Sequence, residues 1–106
     1  SNGIRYWADE FVVDDYGIRV HVPDEYNPDD FFAGEWKNAT WPEVAAAVAT
    51  LARGVYVNHA GIEKPVSDYI SKAARDFLFD PENVDYDIDV MDTVIQMSVL
   101  GCVLYG

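Results

Sequence analysis

A chain of 106 residues has the usual size of one domain. Half its residues are apolar and 14% are aromatic, which excludes a disordered acidic tail. Nineteen Asp and Glu against seven Lys and Arg give a formal net charge of −12, a field that repels phosphate backbones and anionic membranes, so direct nucleic-acid binding is disfavoured; the charge serves either solubility alone or a basic protein partner.

The N-terminal stretch is strand-like. Ile4, Tyr6, Phe11, Val12 and Val13 are strand formers, Asp14-Asp15-Tyr16-Gly17 supplies turn chemistry, and Ile18-Arg19-Val20-His21-Val22 alternates apolar and polar residues. A β-hairpin is predicted, with Arg19 and His21 on one face. Pro23, Asn27 and Pro28 make residues 23–30 a loop. Phe31 to Trp36 reads as a short third strand packing its aromatics on the hairpin, and Lys37-Asn38-Ala39 as the turn that follows.

Thr40-Trp41-Pro42-Glu43 is a helix start: Thr40 can cap, Glu43 stands three residues on as in a capping box, and Pro42 is tolerated in a first turn. The Ala-rich run to Leu51 favours helix and Arg53-Gly54 ends it, predicting a helix over 41–53. Val55-Tyr56-Val57 either extends that helix or forms a short strand. A second helix is predicted from Pro65 to about Phe79, with Val66, Tyr69, Ile70, Ala73, Ala74 and Phe77 on one face, and Asp80-Pro81-Glu82-Asn83 breaks it. Asp85, Asp87 and Asp89 alternate with Tyr86, Ile88 and Val90 as in a strand, but from Met91 the spacing is helical, predicting a third helix over about 90–100. The expected fold is one α+β domain over residues 1–106: an N-terminal antiparallel sheet of a hairpin plus a third strand, packed against about three C-terminal helices.

Fifteen of the nineteen acids fall in two stretches, Asp9 to Glu35 with Arg19 as the one base, and Asp80 to Asp92 with none. Asp85, Asp87 and Asp89, if extended, would point the same way at roughly 6–7 Å spacing, close to that of phosphates along a DNA strand. Asp24, Glu25, Asp29 and Asp30 form a second candidate contact cluster in the loop. The plainer alternative is a solvated face, with acids favoured at a helix start. Calcium is a weak alternative, because Val90 stands where the turn glycine of a calcium loop belongs and Gln96 where its closing Glu would be. His21, His59 and Cys102 show no metal-ligand spacing, and neither a nucleophile elbow nor a phosphate-cradling glycine loop is present. No catalytic residues, metal site or cofactor are expected. The lone Cys102, in an apolar run, reads as structural and fits a reducing cytoplasm. No signal peptide or 18-residue apolar run is seen, so no membrane association is expected.

Several short motifs, taken in order, resemble the ArdB/KlcA antirestriction family of plasmids and other mobile elements. Ser1-Asn2-Gly3-Ile4-Arg5-Tyr6 is similar to the family's Ser-Asn-Gly-Gly lead into a strand, and Phe32-Ala33-Gly34-Glu35 to its F-x-G-E element. The Ala-rich helix from Thr40 to Leu51 follows, then His59, and Arg75-Asp76-Phe77 stands before Asp80-Pro81-Glu82, where the family has His-Pro-Glu. The resemblance implies a cytoplasmic, cofactor-free protein that is not itself an enzyme. It would relieve restriction by binding a host type I restriction-modification enzyme, with Gly34, Glu35, Arg75, Asp76 and Pro81 as markers of the fold. The composition leaves open another role, an acidic, DNA-mimicking module that inhibits a different DNA-binding or defence protein.

Overall fold

Alternation along one strand sets the architecture. In the computed structural model, which describes residues 3–84 and 87–105, strand β2 (Gly17–Val22) is the middle of a three-stranded antiparallel sheet. It pairs on one side with β1 (Glu10–Val13), in a register running from Glu10 opposite His21 to Val13 opposite Ile18. On the other side it pairs with β3 (Glu35–Thr40), from Gly17 opposite Thr40 to Val22 opposite Glu35. Period two sends Ile18, Val20 and Val22 to the inner face, where they meet Trp7, Ala8, Ala39, Val44 and Ile95 in one core cluster.

Helix α1 (Trp41–Ala52) starts on a complete capping box, in which Thr40 Oγ1 accepts from the Glu43 N–H and Glu43 Oε1 accepts from the Thr40 N–H. It buries Val44, Ala47, Val48 and Leu51, the three-four spacing of one face. Ala47, Val48 and Leu51 join Ala74 and Met97 in a second core cluster, and Val94 packs against both clusters. The short strands β4 (Val55–Val57) and β5 (Glu63–Pro65) pair antiparallel and lead into α2 (Asp68–Phe79). Helix α3 (Ile88–Leu100) closes the core and ends at Gly101, whose φ of 74° is the left-handed stop that glycine supplies most easily.

The α+β arrangement is the expected one, and four boundaries move. Ile4–Tyr6 is a 3-10 turn, so the first strand starts only at Glu10. Phe31–Ala33 is another 3-10 turn, capped by Asp30, and the third strand runs through Lys37-Asn38-Ala39, which was expected to turn. That strand ends where Thr40 becomes the cap of α1. Val55–Val57 is a strand, and Pro65 belongs to its partner, because the ladder's outer edge tolerates a residue without an N–H. Helix α2 therefore begins after Ser67, whose hydroxyl accepts from the Ile70 N–H. Helix α3 begins at Ile88, two residues before the expected start. Among the described residues no helix is long and apolar enough to cross a membrane.

Candidate protein-binding face

The loop after β2 is held by its own side chains. Asp24 Oδ2 accepts from the N–H groups of Tyr26 and Asn27 at 3.1 and 2.9 Å, and Asp30 Oδ1 accepts from the Phe32 N–H at 3.1 Å. These bonds deliver Phe31 onto the outer face of the sheet, the face that carries Arg19 and His21. There the His21 ring, 1% exposed, stacks on Phe31 with centroids 4.0 Å apart and meets Trp36 edge-on at 5.2 Å. His21 Nδ1 lies 2.6 Å from Asp9 Oδ1; an ionised carboxylate only accepts, so the ring donates.

Gly34 makes this packing possible. Its φ of −78° is ordinary, so space and not conformational freedom selects glycine: a Cβ there would lie 2.5 Å from His21 Cε1 and 2.6 Å from the Val22 carbonyl oxygen. With Phe31 lodged on His21, its neighbour Phe32 is turned outward and is 93% exposed. Tyr26, Phe31 and Trp36 are exposed in the same segment, and Phe31 and Phe32 meet edge to face with centroids 6.0 Å apart. The segment also carries Asp24, Glu25, Asp29, Asp30 and Glu35. Arg19 lies over Trp36 at 6.0 Å. Lys37, 2.9 Å from Glu35, holds that carboxyl below its ordinary value of 4.5 by hydrogen bond and charge. The result is an exposed aromatic cluster on a packed base, inside an acidic segment.

The other acidic cluster takes a different form. Asp87 is the cap of α3, its Oδ1 accepting from the Val90 N–H at 2.9 Å, and Asp89 lies in the helix's first turn. These two do not form the extended row that a strand would make, because the helix starts at Ile88 and acids are stabilised at its positive end. Asp85, like Ser1 and Asn2 of the first family-like motif, lies outside the described residues.

Of the remaining motif residues, Arg75 donates from Nη1 to the Ala52 carbonyl oxygen and to Ser71 Oγ, tying α2 to the end of α1. Both acceptors are neutral groups. Asp76 pairs with Lys72 at 2.5 Å one turn back, and Pro81 opens the 3-10 turn Pro81–Asn83. Among the described residues no group of three His, Cys, Asp or Glu side chains is placed to hold a metal ion.

One buried network escaped the sequence reading. Trp7 Nε1 donates to Asp92 Oδ1 at 2.7 Å, Gln96 Nε2 to the same oxygen at 3.2 Å and to the Tyr105 carbonyl at 2.8 Å. Gln96 Oε1 accepts from the N–H groups of Leu104 and Tyr105, and the Tyr105 ring stacks on Trp7 at 5.3 Å. The signal was present: Asp92 and Gln96 are four apart in α3, hence on one face. No family model matches the chain, and neither does any curated protein or solved structure.

Proposed function

We propose that the protein works by binding a basic protein surface through the face built around Phe32. The observation that carries this reading is a phenylalanine almost wholly in water, set on the Phe31–His21–Trp36 stack within a segment of five acids. Aromatic side chains on a packed base supply binding energy at an interface core, and the surrounding carboxylates steer a basic partner and suppress wrong ones. The partner is a host type I restriction-modification enzyme, bound in the cytoplasm; the order of the F-x-G-E and R-D-F motifs supports that choice. The inhibition needs no cofactor and no catalysis by this chain.

Efficiency of plating of unmodified phage on a type I restricting host tests this reading. It should rise when the protein is expressed and fall back with Phe32→Ala at equal levels of folded protein. Unchanged restriction with the native chain would reject the restriction enzyme as partner. Full relief by Phe32→Ala would reject this face as the contact.

A further inference from the structure

We infer a second docking site, at the free edge of strand β1, that accepts an extended basic and apolar segment of a protein partner as an added strand. It uses different residues from the Phe32 face and stands independently of that reading. The Asp14 N–H donates to the Gly17 carbonyl at 3.0 Å, so with this antiparallel register residues 10, 12 and 14 direct their main-chain groups toward β2. Phe11 and Val13 direct theirs the other way, where no described strand pairs with β1. Edge strands are ordinarily blunted by Lys, Pro or bulges. Glu10-Phe11-Val12-Val13 contains neither Lys nor Pro, and Phe11 and Val13 remain 40% and 56% exposed.

Beside this edge lies a cavity of about 290 Å³ lined only by apolar residues, among them Phe11, Val13, Phe77, Val90, Met91 and Val94. An added strand would bond to the main chain of Phe11 and Val13 and send alternate side chains toward the cavity. Its remaining side chains would lie on the face of Glu10. Charge chooses the occupant. Glu10 opens the strand and Asp9, Asp14 and Asp15 flank it, Asp9 against His21 and Asp14 3.5 Å from Arg19; two copies of a −12 chain edge to edge would bring eight such carboxylates together, whereas Lys or Arg at the outward positions would offset the excess, above all at Glu10 and Asp15.

The test uses the full chain and a blocked octapeptide alternating Val and Lys. Controls are the Val and Glu counterpart and a Val and Lys peptide N-methylated at its Val residues, the ones that would bond to Phe11 and Val13. Amide hydrogen exchange should slow at Phe11 and Val13 with the Val and Lys peptide and with neither control. Val13→Pro removes an N–H that β2 does not use, and Pro is tolerated at an edge, so the fold should persist while affinity falls about tenfold, the worth of one or two main-chain hydrogen bonds. Phe32→Ala should leave this binding unchanged. Absence of protection by the Val and Lys peptide, or equal binding of the N-methylated one, overturns the inference. So does a homodimer in sedimentation equilibrium that Val13→Pro dissociates. The exchange measurement on the native chain decides the question even if the variant fails to fold.

Discussion

Gly34 fits closely against His21 and Val22, and the consequences of disturbing that fit follow from distances alone. A methyl group on Gly34 would collide with ring and carbonyl atoms at once, and the carbonyl belongs to β2, which cannot retreat without breaking its pairing. Gly34→Ala should therefore destabilise the fold by about 1–3 kcal/mol in urea denaturation, the range for overpacked sites. The neighbouring Glu35 offers a smaller and more local test. Its carboxyl is held low by Lys37, so the pair's contribution is complete above 4.5 and is lost as pH falls through the folded value. In Lys37→Met the Glu35 titration followed by NMR should move up toward 4.5, with little change in stability, since the Glu35 side chain is largely in solvent and that of Lys37 partly so.

At the scale of elements, what could be read in advance depended on whether the determining contacts were local. Helix α1 was legible because its start rests on Thr40, Pro42 and Glu43 alone, and the Val44 to Leu51 spacing needs no tertiary knowledge. Phe31 to Trp36 misled because strand-forming aromatics there answer to a partner 10 residues away in sequence from Phe31: His21 captures the ring, Asp30 caps the turn, and pairing starts only after Gly34. The site was legible in its composition and not in its geometry. The acids and aromatics of residues 23–36 were visible, but not that Asp24 and Asp30 hold the loop's own backbone or that Asp87 caps α3. Those commitments give the acids unequal roles. Asp87→Ala should lower stability by about 0.5–2 kcal/mol, the worth of an N-cap, as measured by thermal or chemical melting.

Over the whole molecule the charge of −12 acts at long range and Phe32 at contact, so the two should separate in kinetics. Asp24, Glu25, Asp29 and Asp30 changed together to their amides should slow association with the partner several-fold and flatten its salt dependence. Asn at 24 and 30 keeps an accepting oxygen for the Tyr26, Asn27 and Phe32 N–H groups, so the loop should hold its shape. Surface plasmon resonance against the proposed partner, a purified type I enzyme, should show a changed on-rate and a nearly unchanged off-rate. An association rate indifferent to salt in the native chain would count against electrostatic steering.

The three tryptophans occupy three different stations, and this gives the protein its own optical reporters. Trp7 is buried, its indole N–H held by Asp92 and its ring stacked on Tyr105, so its emission follows the integrity of the core. Trp36 stands half in solvent against His21 on the proposed binding face, and Trp41 donates to the Asp14 carbonyl at the hairpin turn. Emission from Trp36 therefore senses a ligand covering the aromatic face, while that from Trp41 senses the hairpin beside the β1 edge. Single-tryptophan versions would let occupancy of either surface, and loss of the fold, be followed as three distinct spectral changes in one unlabelled chain.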